Sequence, residues 1–328
     1  MKRIGILCII VGFFLIFAPL LSLIKTQDES KSDTQSTTSA TDENNKAENM
    51  NSVDENDFFL VYIKNEDKVV RMSALDYITG VVAAEMPALY NVEALKAQAV
   101  TSYTYAHYIR LRSEANPDAS IKNAHISDQS TSHQAYYSAD QLKQLWGNDF
   151  DTYYGRVRSA VSEVIGRLIV CDDEPIMAAF HAMSWGKTED CRNVWGGEVS
   201  YLVSVDSSGD ESNAGFINTF TFTEQKFKSI LSITDSKIQI GKTTYTDAGM
   251  VDTITINGKA YSGMKIRSLF SLASPCFTLE VRNGSYVFTT KGKGHGVGLS
   301  QNGANALAAQ GYSWEEIITH YYSDVTII

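Results

Sequence analysis

Apolar and polar positions divide this 328-residue chain into three stretches. After Lys2-Arg3 comes an uncharged run from Ile4 to Ile24, 21 residues long. That is about the length an α-helix needs to cross a bilayer. It reads as an uncleaved anchor or as a signal peptide. Its length, and the lack of a small-x-small site after Leu21, favour the anchor. Lys2 and Arg3 place the N-terminus in the cytoplasm, so the body is exported. The second stretch, Gln27 to Asp57, has no aromatic residue and little aliphatic content, and reads as a disordered tether. The expected division is therefore an anchor at 1–25, a linker at 26–57 and a folded body at 58–328.

Within the body the patterning switches between strand and helix. Phe58 to Ile63 and Lys68 to Met72 read as paired strands. Ser73, with Asp76 three residues on, signals a helix start, and Leu75, Ile78, Val81 and Val82 supply its apolar stripe. Met86-Pro87 ends it. Asn91 caps a second, alanine-rich helix running to about Arg112, whose Ala94, Ala97 and Ala99 permit close approach of another backbone. Pro117 to Ser138 reads as a long polar loop. Val157, Ala160, Val161, Val164 and Ile165 mark a further helix, with Gly166 as its cap. Leu168 to Cys171 and Ile176 to His181 flank Asp172-Asp173-Glu174-Pro175 as a hairpin. Tyr201 to Val205 and Phe216 to Phe222 read as strands, and Thr223 caps a helix to Leu231. Asn257-Gly258 and Asn283-Gly284 each predict a tight hairpin. At the end a glycine loop leads into a helix closing at Gly311, and Ser313 with Glu316 caps the last helix. The fold class expected is α+β: mixed helices and short antiparallel strands, in two lobes around a groove, behind one N-terminal transmembrane helix.

Net charge changes the range of partners. At −10, with a pI of about 5.1, the chain lacks the basic surface of a nucleic-acid binder. Cys171, Cys191 and Cys276 show no CxxC spacing; a Cys171–Cys191 disulfide and buried free thiols are both compatible with the sequence. The six histidines form no HExxH or other tight pair. His125 and His133, eight apart in the polar loop, are weak evidence for a metal, so no metal or cofactor is assigned.

Three segments carry candidate chemistry. Glu85 sits in an apolar run, Val81-Val82-Ala83-Ala84-Glu85-Met86. Burial would raise its pKa toward what a general acid requires; alternatively it is a surface glutamate or an ion-pair partner of Lys96. In Phe180 to Gly197, His181, Ser184, Lys187, Thr188, Glu189, Asp190 and Trp195 crowd around glycines, which suits sugar stacking or, for Trp195, core packing. In the third, Gly292, Gly294, Gly296 and Gly298 alternate with Lys293, His295 and Val297. Such bare backbone lets a ligand approach, or lets two backbones cross tightly. Ser300-Gln301 then offers polar contacts or a helix cap.

In this order, GVVAAEMP with EALKAQAV, FHAMSWGKTEDCRNVWGG with YLVSV, and GKGHGVGLSQNGA with HYYSDV resemble the stage II sporulation protein D family over nearly the whole body. The resemblance implies a membrane-anchored lytic transglycosylase acting during engulfment, on the mother-cell side of the sporulation septum. Its substrate would be glycan strands already stripped of peptides, cut at the β-1,4 bond between N-acetylmuramic acid and N-acetylglucosamine with a 1,6-anhydro product. A membrane recruitment protein and an amidase/endopeptidase are the partners implied. Glu85 takes the catalytic position. Lys96, Gln98, Ser184, Lys187, Thr188, Glu189, Lys293, His295, Ser300 and Gln301 are the expected substrate-binding residues. Rival readings are a hydrolase pairing Glu85 with Glu189 or Asp173, and a non-catalytic glycan-binding scaffold. The chain departs from the family at Tyr103, where relatives keep an arginine, and at Trp185, where they often have glycine. Some relatives bind zinc through Cys and His after the second helix; here only His125 and His133 are present.

Overall fold

The computed structural model describes residues 57–328. The expected anchor and the expected linker up to residue 56 lie outside the described residues, among which no helix is long and apolar enough to cross a membrane.

The fold is mixed α+β with two hydrophobic cores. The larger core opens with the hairpin Phe58–Ile63/Lys68–Ser73, in register from Phe58 opposite Ser73 to Ile63 opposite Lys68. Helix α1 (Ala74–Glu85) follows, with Ser73 Oγ accepting the Asp76 amide at 3.1 Å. Met86 leaves the helical region at φ −127°, as a residue before proline must. Helix α2 (Val92–Ala115) starts on Asn91, whose side chain accepts the Glu93 amide at 3.0 Å. α3 (Ala139–Trp146) and α4 (Phe150–Ser162) come next.

α2 is the hub: it packs on α1, on α4 and, from the far end of the chain, on two C-terminal helices. It has no single apolar face because it is enclosed. Ala94, Leu95, Ala97, Val100, Thr101, Ser102 and Thr104 are all fully buried. Its alanines admit neighbouring backbones closely, and Thr104 satisfies its hydroxyl on the Val100 carbonyl one turn back, at 2.8 Å.

The short α5 (Cys191–Trp195) leads to the smaller lobe. There α6 (Glu224–Leu231) and α7 (Gly263–Phe270) cover two three-stranded sheets, 240–262 and 217–291. Phe227, Phe270, Phe277 and Phe288 fill that core. The two Asn-Gly turns form as expected, with Asn257 and Asn283 at φ 48° and 50°. The chain then returns to the larger core through the glycine loop, α8 (Gln301–Ala309) and α9 (Trp314–Tyr321). Ser313 and Glu316 make a complete capping box.

Four expectations are corrected. Ile176 to His181 is not one hairpin arm. Glu174–Pro175 pairs back onto Ile169–Cys171, whereas Phe180–His181 pairs in parallel with Leu299–Ser300. Tyr201 to Val205 is turn and coil leading into the short strand Asp206–Ser207. α4 stops at Ser162, short of Gly166. The short strands are not all antiparallel either, since Phe58–Ile63 also runs parallel to Ile126–Ser127. Cys171, Cys191 and Cys276 are free thiols.

Candidate active site

Glu85 is the last residue of α1, where the helix meets the proline corner. Gly80 sets the wall beside it. A Cβ there would lie 2.4 Å from the Tyr136 ring and 2.5 Å from the Tyr137 carbonyl, so only glycine lets the polar loop lie against α1. That loop turns the Ala135 amide onto Glu85 Oε1 at 2.8 Å. On the other side Gln301, in the first turn of α8, donates through Nε2 to Glu85 Oε2 at 3.3 Å and to Gln98 Oε1 at 3.4 Å. Gln98 passes the chain on to Ser102 Oγ at 2.9 Å. Elements more than 200 residues apart in sequence thus meet on one carboxyl group.

Burial pushes the Glu85 carboxyl above its ordinary value; the Ala135 amide and Gln301 pull it down and offset only part of that rise. Its place at a helix C-terminus, the negative end of the dipole, disfavours the anion further. Lys96 does not neutralise it. Lys96 Nζ lies 3.0 Å from Glu93 and 2.6 Å from Glu163, on the flank where α2 meets α4. Glu93 in turn caps α9 by accepting the Trp314 amide at 2.9 Å. The ion pair between Glu85 and Lys96 is thus not formed, and Lys96 is a framework residue.

Asp210, which sequence reading passed over, organises the neighbouring region. It is fully buried. It accepts from the Ser184 amide at 3.1 Å, Ser184 Oγ at 2.5 Å, Ser207 Oγ at 2.8 Å and Ser300 Oγ at 2.8 Å. Ser300 also caps α8, accepting the Gly303 amide at 3.2 Å. Ser184 and Ser300 therefore hold the framework that aims Gln301. Nothing in the polar run Ser207-Ser208-Gly209-Asp210 marks that aspartate in the sequence.

The glycine loop turns out to be a crossing of backbones. Gly292, Gly294, Gly296 and Gly298 all have positive φ, from 70° to 117°. A Cβ on Gly298 would lie 2.0 Å from the Ala179 carbonyl, and one on Gly296 would enter the Trp185 ring at 2.2 Å. The loop is pinned by Lys293 against Met183 and by the Glu189 amide on the Gly296 carbonyl at 2.7 Å. Glu189 is buried, held by Asn193 Nδ2 at 2.7 Å and Thr246 Oγ1 at 2.7 Å. Thr188 is buried and accepts the Val205 amide at 2.9 Å. Lys187 is exposed, and Lys293 is half-buried, which lowers its pKa. His295 is buried and accepts the Val297 amide at 3.1 Å, its ring 5.1 Å from that of Trp195, which is 36% exposed.

The remaining sequence candidates are occupied elsewhere. His125 Nδ1 accepts the Leu60 amide at 3.1 Å, and His133 Nδ1 accepts the Ser127 amide at 3.2 Å. Among the described residues no group of three His, Cys, Asp or Glu side chains is arranged to hold a metal ion. Tyr103, at the position of the family arginine, packs at 4.4 Å on the His107 ring and donates to Asp57 Oδ2 at 2.7 Å, so its contacts lie on the Phe58–Ile63 side of α2.

Fold and site together define a mixed α+β protein built around one desolvated carboxylic acid held by amide donors, a candidate acid–base centre. A family model described as Stage II sporulation protein matches residues 62–170. Stage II sporulation protein D of Bacillus amyloliquefaciens is 36% identical over 81% of this chain and 77% of its own length. Its counterpart in Bacillus subtilis strain 168 is 34% identical over 81% and 78%. The chain belongs to the stage II sporulation protein D family. An amidase enhancer of Bacillus subtilis strain 168 is 26% identical over 76% of this chain but only 40% of its own length.

Proposed function

We propose that the protein is a peptidoglycan lytic transglycosylase working through Glu85 alone. The observation that carries this is the Glu85 carboxyl itself, desolvated, held by two neutral donors, with its pKa raised. A raised pKa keeps a proton available for the glycosidic oxygen. Both oxygens accept from amide donors, Oε1 at 2.8 Å from Ala135 and Oε2 at 3.3 Å from Gln301, so the acid proton is placed on Oε2, the more weakly held of the two. As the bond between N-acetylmuramic acid and N-acetylglucosamine breaks, Glu85 gives up that proton. The carboxylate, held by Ala135 and Gln301, then takes the proton of the muramic acid C6 hydroxyl, which closes on C1. The product is a 1,6-anhydro sugar and no water is consumed.

A hydrolase needs a second carboxylate to direct water or form a covalent intermediate. Glu189 has both oxygens engaged in the core, and Asp173 sits in a hairpin turn at φ 63°; both favour the single-carboxyl route. The substrate proposed is peptide-stripped glycan at the sporulation septum, reached from a membrane anchor at 1–25 through the 26–57 tether, with the body outside the cytoplasm. The likeness to an amidase enhancer supports a partner that acts on the peptides. E85Q is expected to lower cleavage of peptide-free strands by about a thousandfold while circular dichroism stays unchanged. Near-native cleavage by E85Q would remove the assignment. Retained glycan binding with no cleavage by the native chain would instead indicate a scaffold.

A further inference from the structure

The Ala135 amide is the closer of the two donors on Glu85, at 2.8 Å against 3.3 Å for Gln301. Yet residues 128–138 contain no helix or strand to keep it there. The fastening is one residue away. Gln134 is 2% exposed, and its Nε2 donates to the Ser102 carbonyl at 3.2 Å and to the Tyr77 hydroxyl at 3.3 Å. The Ala135 N–H belongs to the planar peptide unit that begins at Gln134, so tying down Gln134 aims that N–H. Ser102 also accepts Gln98 Nε2 on its hydroxyl at 2.9 Å, and Gln98 in turn accepts Gln301 Nε2 at 3.4 Å. Both donors on Glu85 therefore trace back to one residue of α2, Ala135 through the Ser102 carbonyl and Gln301 through the Ser102 hydroxyl.

Packing alone does not explain a glutamine at 134. Its Oε1 is buried and has no partner among the described residues. An unpaired buried acceptor is a cost that an apolar side chain of similar shape avoids, so what Gln134 supplies lies at its Nε2 end. Tyr136, stacked on Tyr77 at 5.6 Å, already lays the loop on α1; Gln134 fixes the direction of the 134–135 peptide. Resting on the reading of Glu85 as the acid, we infer that Gln134 is a positioning residue for the reaction, holding that peptide so that its N–H stays on Glu85 Oε1. The bond is strongest once the carboxyl has lost its proton, so Gln134 serves the second step, in which Glu85 stands as a base. No charge enters the arrangement. Burial, the Ala135 amide and Gln301 set the Glu85 pKa, and the titratable groups whose fields meet it, Tyr77 on α1 and Tyr105 on α2, are kept neutral by burial.

The test uses the full chain and Q134M, which keeps the length of the side chain and removes its donor. In the native chain the Ala135 amide is expected to be protected from hydrogen exchange; exchange at the rate of an open loop overturns the inference with no variant needed. In Q134M that amide should exchange at least about tenfold faster. The Glu85 pKa, read from its carboxyl carbon by NMR with E85Q identifying the signal, should rise by about one unit. Cleavage of peptide-free strands should lose about tenfold in kcat with KM unchanged, while the melting temperature holds or rises because the unpaired acceptor is gone. A folded Q134M with the parent's Glu85 pKa and kcat makes Gln134 a core filler and overturns the inference. So does a Q134M chain that does not fold, since the residue is then part of the framework. Exchange and pKa are read without cleavage. If the native chain cuts no strand, the reading of Glu85 as the acid fails, and with it the catalytic role of Gln134, even where both readouts show the clamp.

Discussion

Two carboxylates stand on either side of the first turn of α8, and they are treated oppositely. Asp210 is fully buried and takes four donor contacts from three serines. Glu85, partly open, takes one backbone amide and one long contact from Gln301. Burial raises both pKa values. The difference lies in what remains unsatisfied: Asp210 is saturated by its serines, while Glu85 keeps hydrogen-bonding capacity on a partly open carboxyl. Consecutive residues serve the two groups, Ser300 the first and Gln301 the second. A saturated carboxylate thus fixes the helix end that positions an unsaturated one.

The contrast can be broken from either side. The largest effect expected is the E85Q loss of cleavage given above. D210A leaves buried hydroxyls and an amide without an acceptor and is expected to cost about 3 kcal/mol of unfolding free energy in a urea titration, with a measurable rate in the fraction that stays folded. A D210A protein as stable as the parent would mean that Asp210 is no clamp. Q301A should lower the cleavage rate about tenfold, the loss of one charge-assisted hydrogen bond. Because the Gln301 contact lowers the Glu85 pKa, its removal should also move the basic limb of the pH–rate profile upward; a downward shift would contradict the geometry.

The smallest effect is on stability. The folded-state pKa of Glu85 is raised, so the folded chain holds that proton more firmly than the unfolded one. Its contribution is complete below the ordinary glutamate value and is lost as pH rises through the raised one. Glutamine suffers no such loss. E85Q should therefore melt with the parent at acid pH and above it near neutral pH. A gap that widened on acidification would place Glu85 among ordinary salt-bridged carboxylates.

Local chemistry made much of the fold legible. Ser73, Asn91, Thr223 and Ser313 cap the helices their spacing announced, and both Asn-Gly pairs turn hairpins. What failed was whatever a distant partner decides. Phe180–His181 reads as the continuation of a hairpin because its true partner, Leu299–Ser300, comes more than a hundred residues later. α3 went unseen although Ser138 and Gln141 form a capping box, since the polar loop before it masked the signal. Glu85 and Gln301 were legible through motifs. Asp210, Ala135 and Gln134 were not, for a carboxylate, a backbone amide and a side-chain amide acquire meaning only from what the fold sets beside them. The glycine loop admitted a ligand or a crossing, and the side-chain space is taken by Ala179, His181 and Trp185.

The central claim is one carboxyl acting as acid and then as base, and the masses of the products test it most directly. Peptide-free glycan strands digested with the native chain should yield fragments ending in 1,6-anhydro-N-acetylmuramic acid, and E85Q should yield none. Fragments heavier by one water, carrying a free reducing end, would show that water is the nucleophile and that a second carboxylate takes part.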